Sequence, residues 1–256
     1  MKRTRNERSG RRDERAVTEL VSFVLVFGTI VLSVAVVSIV GFQAIQIEQE
    51  HEQFHLAERA VDDLSNDFND ILRIDGVSQR DNELAVSGQT IAPGEPGPRL
   101  EVAIDHAGGT DTESWRLGSF VYGDDSHAVA YEGGGVFRTS ETGKRTSLVE
   151  PRIQCEDETA IVSVVKIKED NRAVQSNGVV SVTATETESY RETFFNVNAL
   201  EIDVETARSS DRGWERAFDG WTETGDSWTC TGSEGAVVDS LSVHVVTIDI
   251  DYATSV

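Results

Sequence analysis

Residues 51–55 read HEQFH, a stretch whose residue types and spacing match a catalytic pattern. In H-E-x-x-H on a helix the histidines sit at i and i+4 on one face, so His51 and His55 could both ligate zinc while Glu52 activates a bound water. The pattern stops there. Glu58 occupies the place of the glycine in the longer zinc-peptidase signature, no sheet precedes the helix to build a substrate cleft, and the segment follows directly on an apolar run. A chance match on a solvated polar face is the favoured reading, with a zinc hydrolase kept as the distant alternative.

The remaining chemistry-bearing residues are scattered. Cys155 and Cys230 are the only cysteines; in an oxidising compartment they can pair across 75 residues, and in a reducing one they would sit as a buried thiol pair. The acidic stretches NDFND (66–70) and GDDSH (123–127) could hold calcium, but neither has the ligand spacing of a dedicated loop, so solvated acidic turns are expected. Trp214, Phe218 and Trp221 fall at i, i+4 and i+7 of a helix expected near Ser210–Gly220, an aromatic face that suits a core better than a sugar- or surface-binding patch. There is no G-x-S-x-G elbow, P-loop, G-x-G-x-x-G or Cys/His cluster, and no Asn-x-Ser/Thr sequon. Neither an enzyme nor a cofactor is expected.

The elements that must position these residues are dictated by charge and hydropathy. Leu20 to Ile47 carries no formal charge over 28 residues, about 42 Å of helix against a hydrocarbon core of ~30 Å. A cleaved secretory signal has a shorter apolar region with a small-residue cleavage site after it. Arg11-Arg12 is followed by Asp13 and Glu14, which weakens a twin-arginine reading.

Residues 1–16 hold seven Lys/Arg against three acidic residues, net +4, within a total of −22; the other 240 residues carry 16 basic and 42 acidic groups, net −26. The basic head predicts a cytoplasmic N-terminus with the bulk of the chain outside the cell. The acidic body excludes a nucleic-acid partner, which needs a basic stripe. With only four lysines among 23 basic residues, the surface suits a salt-rich environment and a halophilic source.

Past the span, Ile47, Phe54, Ala57, Val61, Leu64, Phe68 and Ile71 form a heptad-like stripe, predicting a helix to about Ile74 that stops near Gly76. The stripe can pack on the chain's own following domain or on a helix of another subunit; spacing alone leaves both open. Strands are expected at Glu83–Ser87, Leu100–Asp105, Trp115–Tyr122, His127–Tyr131, Val136–Thr139, Ala160–Ile167, Val179–Thr187, Leu200–Thr206 and Val237–Asp249, with APGEPGP (92–98) as a turn between the first two.

The junction RAVTELVSFVLVFGTIVLSV resembles the N-terminus of archaeal type IV pilin-like proteins, especially haloarchaeal ones. AERAVDDLSNDFNDI and GSFVYGDDSHAVAYEGGGVFRTSETGKRTSLVEPRIQC resemble a haloarchaeal family of single-span pilin-like proteins without assigned activity. The resemblance implies cleavage between Ala16 and Val17 on the cytoplasmic side, and assembly in which Glu19 meets the new Val17 amine of a neighbouring subunit. An interfacial Glu19 stabilised by the helix N-terminus is the simpler account of that carboxylate. The chain departs from the common haloarchaeal junction, with Thr18-Glu19-Leu20-Val21-Ser22 in place of Ser-Pro-Val-Ile-Gly.

The fold class expected is α+β: a basic leader (1–16), a transmembrane helix continuing as an amphipathic one (17–75), and a mostly antiparallel, sandwich-like extracellular β domain with one short helix (76–256). The function expected is that of a membrane-anchored, pilin-like cell-surface protein with a structural or adhesive role; a tethered binding or accessory module that does not assemble is the alternative. Its expected partners are the membrane and its own or other pilin-like subunits.

Overall fold

The computed structural model describes residues 7–106, 108–123, 127–140, 142–156, 158–169, 173–206, 213–225, 227–230 and 238–254, with side chains described except at 7–19, 39–54, 87–89, 93–95, 177 and 254. The chain is α+β and divides into two compact units, Met1–Gln53 and Phe54–Val256. Helix α1, Glu7–Arg73, runs through the boundary.

In the first unit, Leu20–Ser38 is 19 residues long, fully exposed, and long and apolar enough to cross a membrane. Two of its four hydroxyl side chains fold back: Thr29 Oγ1 donates to the Val26 carbonyl and Ser33 Oγ to the Ile30 carbonyl, each at 2.8 Å. Thr29 and Ser33 therefore present no unmet donor to hydrocarbon.

In the second unit, the stripe Ala57, Val61, Leu64, Phe68 and Ile71 is buried in the same cluster as Leu84, Phe120, Tyr131 and Val182 of the sheet. Of the two partners open to the stripe, the chain's own β domain is the one it has. Polar links flank this seam: Glu58 with Arg138 at 2.9 Å, Asp70 with Arg80 at 3.1 Å, and Asp67 with Asn82. The helix ends at Arg73, one residue before the expected Ile74.

The strands are β1 (Gln79–Glu95), β2 (Arg99–His106), β3 (Gly109–Arg116), β4 (Ser119–Gly123), β5 (Ala128–Glu132), β6 (Gly135–Thr139), β7 (Arg145–Val149), β8 (Arg152–Glu156), β9 (Thr159–Ile167), β10 (Val174–Glu205), β11 (Thr222–Thr224), β12 (Ser227–Cys230) and β13 (Val238–Thr254). The main path runs β7-β6-β5-β4-β1-β10-β13-β9-β8, with β2, β3, β11 and β12 branching from β10. Among the described strands, only β13 and β9 pair in parallel.

The 32-residue β10 is the spine. Its first half pairs with β1, its middle with β13, and its end with β2 and β12. The change to β2 occurs at a register shift between Val197 and Ala199, beside Asn196 at φ 55°. A bulge there lets one strand bend from one neighbour to the next.

Two hydrophobic clusters lie on opposite faces of the central strands. On β13, Leu241, Val243 and Val245 enter one cluster and Val246, Ile248 and Ile250 the other; on β9 the same change falls between Val164 and Val165. Successive side chains point to opposite faces, so these strands are covered on both.

β7 and β8, the two ends of the strand path, are separated in sequence only by Glu150 and Pro151. The sheet must therefore curl until its ends are neighbours, and the 3-10 helix Gly213–Phe218 lies against both.

Several expectations need correction. Trp115–Tyr122 is two strands, because Gly118 at φ 66° breaks the run and a side chain there would meet the Ile167 carbonyl oxygen at 2.3 Å. APGEPGP does not begin as a turn: Ala92–Glu95 remain in β1 and pair with β4. The strands expected at Val179–Thr187 and Leu200–Thr206 are parts of the single β10, and β3, β7, β8, β11 and β12 are further strands, β3 overlapping Trp115–Tyr122 only at its end.

Candidate functional site

Ala16, Val17 and Glu19 lie on α1, and their side chains, like those of His51 and Glu52, fall outside the described residues. His55 is exposed, and its Nδ1 lies 3.0 Å from Glu58 Oε2. Glu58 is thus shared between His55 and Arg138. Among the described residues no three His, Cys, Asp or Glu side chains are grouped to hold a metal.

NDFND is a docking surface of the helix. Asn69 is buried, with Nδ2 donating to the Gly134 carbonyl at 3.0 Å and Oδ1 accepting from the Tyr131 hydroxyl at 3.0 Å. Phe68 packs edge-on against Tyr131, ring centroids 5.2 Å apart, and against Phe120 at 6.2 Å. Burial pushes the Tyr131 hydroxyl well above its usual pKa of 10, with nearby Arg73 pulling the other way. Asp124, Asp125 and Ser126 of GDDSH lie outside the described residues.

Cys155 and Cys230 form a disulfide, joining edge strand β8 to β12 across a sequence separation of 75. Trp214 and Phe218 are buried and Trp221 is half-buried. Trp214 stacks on Phe137, Phe218 stacks on Trp228 with centroids 4.4 Å apart, and Trp221 meets Phe218 edge-on at 5.5 Å. The first two aromatics are core. The helix that carries them is 3-10 over Gly213–Phe218 and ends before the expected Gly220; residues 210–212 of the expected span lie outside the described residues.

Beside them runs a buried ion pair that sequence spacing did not reveal. Arg145 Nη2 lies 2.7 Å from Glu132 Oε1, the guanidinium sits 4.6 Å from the centroid of Phe137, and Trp214 Nε1 donates to Glu132 Oε2 at 3.5 Å. The glycine after Glu132 makes room for the indole, since a Cβ on Gly133 would meet Trp214 Cη2 at 2.6 Å.

Among the described residues, a cleft of ≈ 680 Å³ runs along β8. β8 and the preceding Glu150 and Pro151 form one wall, the 3-10 helix and Trp221 another, and Arg73 enters from the last turn of α1. Arg73, Arg152 and Arg216 face Glu150, Glu156 and Asp219 in the same cleft. Nothing in the sequence marks this grouping, because the six residues come from three segments up to 146 positions apart. On β13, two strands from β8, His244 is held below its usual 6.5 by partial burial and then by Arg191, with Asp75 opposing.

A helix long and apolar enough to cross a membrane, followed by an acidic, mostly antiparallel β domain, defines an α+β protein. The chain belongs to a family of unknown function, DUF7289, whose model matches residues 15–253 and so covers both the helix and the β domain. No curated protein and no solved structure matches it.

Proposed function

We propose that this chain is a membrane-anchored, pilin-like cell-surface protein with a structural or adhesive role. In this reading the head 1–16 is cytoplasmic, α1 is the anchor, and a sandwich-like β domain stands outside the cell. The observation that carries it is the run Leu20–Ser38, whose side chains are all exposed. A 19-residue run this rich in apolar side chains would be strongly unfavourable in water, whereas in a bilayer it spans about 28 Å of hydrocarbon. The charge split across this run supports the orientation.

Mass spectrometry of the mature N-terminus, with electron microscopy of sheared surface fractions, tests the reading. Val17 as first residue and the protein in filaments are expected. An intact leader with no protein in filaments would refute assembly.

The alternative is a tethered binding or accessory module that keeps residues 1–16. One observation favours it: the stripe Ala57–Ile71 is already covered by the chain's own sheet, which leaves that stripe unavailable to a neighbour's helix. Protease accessibility of the β domain on intact cells would be the same under both readings, whereas the N-terminal mass would differ.

A further inference from the structure

The cleft along β8 combines groups that normally neutralise one another. Among the described residues, none of Arg73, Arg152 and Arg216 has a carboxylate within 4.0 Å, although Glu150, Glu156 and Asp219 line the same space. These arginines are exposed, and they are three of only 16 basic residues after Ala16. The fold holds donors and acceptors around one space without closing them on each other.

We propose that this cleft binds an acidic sugar, a uronate whose carboxylate meets the guanidinium groups. Guanidinium presents planar paired donors that suit a carboxylate. Sugar hydroxyls need acceptors as well as donors, and Glu150, Glu156, Asp219 and Gln154 supply them. Half-buried Trp221, fixed edge-on against Phe218, offers an apolar ring face for the C–H side of a pyranose.

Charge decides between ligand classes. Three cations against three anions make the lining neutral within a region of net −26, so a phosphate-dense polyanion is repelled at range and meets carboxylates on arrival. A uronate, with one negative charge per hydroxylated ring, bears less of both costs, and its hydroxyls can donate to the carboxylates it meets. The site lies within the unit Phe54–Val256 and does not depend on leader cleavage or filament entry.

The test uses the full chain in detergent, titrated with D-glucuronate, glucose, acetate and inorganic phosphate, and with polygalacturonate to separate a free sugar from a polymer. Heat and tryptophan fluorescence are the readouts. Saturable binding of glucuronate or of the polyuronate is expected, with glucose, acetate and phosphate at least about tenfold weaker. Arg152→Gln and Arg216→Gln should each weaken uronate binding about tenfold, the scale of a lost charge-assisted hydrogen bond. Trp221→Phe should remove most of the fluorescence response. Arg116→Gln, on a surface pair with Glu169 outside the cleft, should change nothing. Circular dichroism of each variant checks that it is folded. Absence of binding to either uronate, equal binding of acetate or phosphate, or affinity unchanged in both cleft arginine variants would overturn the proposal.

Discussion

Replacing Asn69 by leucine probes how the outer part of α1 is held to the sheet. Asn69 is 2% exposed and makes two buried hydrogen bonds, one to the Gly134 carbonyl and one from Tyr131, each 3.0 Å long. Leucine has the same branched shape and is somewhat larger, so no cavity forms; instead a carbonyl and a phenol are left without partners. At roughly 1–3 kcal/mol for each of the two stranded groups, less about 1 kcal/mol for the added apolar burial, the expected loss is about 1–5 kcal/mol. That is a large part of the 5–15 kcal/mol typical of a folded protein.

Tyr131→Phe removes only one of the two bonds and should cost about 1 kcal/mol. In the double variant no hydroxyl remains to be stranded, so its loss should fall short of the sum by about 1 kcal/mol. All four tryptophans lie between 115 and 228, so their fluorescence during urea unfolding reports the β domain alone. A single-variant loss below about 0.5 kcal/mol, or an additive double variant, would refute the idea that this network docks the helix.

Glu132→Ala should destabilise by about 3–5 kcal/mol, because it leaves the Arg145 guanidinium buried without its carboxylate; urea midpoints check this, with Glu132→Gln expected to lose less. Paired Cys155→Ser and Cys230→Ser changes should cost about 4.5 kcal/mol, the closure entropy of a loop spanning 75 residues, read as a lower denaturation midpoint that reducing agent reproduces in the parent. His244 binds its proton more weakly in the folded chain than its usual 6.5, so the unfolded chain protonates first and stability should fall as pH drops through 6.5, levelling below the folded value. His244→Gln should flatten that slope in denaturation curves taken between pH 7.5 and about 5; an unchanged slope would remove His244 as its cause.

Much of this architecture can be read from residue patterns where one face is buried. The stripe Ala57–Ile71 predicts the helix and its buried side because period 3.6 survives translation into structure. The change of phase at Val245-Val246, apolar residues adjacent within an alternating run, already marks a strand covered on both faces. What the pattern hides is pairing. β7 and β8 are short, polar edge strands with no apolar run to announce them, and their place is fixed by neighbours far away in sequence. Pro93 reads as a turn residue, yet it lies in the part of β1 that has left β10 and pairs with β4 alone, where the missing N–H is tolerated. The cleft was illegible for the same reason: Arg73, Arg152 and Arg216 meet only because the sheet curls and the 3-10 helix covers its seam.

The bridge between Cys155 and Cys230 also bears on what a protease can achieve. The closed loop holds β9, β10, the 3-10 helix and β11. A single cut anywhere inside it cannot release a fragment, since the part carrying the apolar helix stays covalently tied to the part carrying β13. On a gel such a nick would be invisible until reduction. A chain exposed to extracellular proteases would keep its outer portion attached through one cleavage in its longest looped stretch.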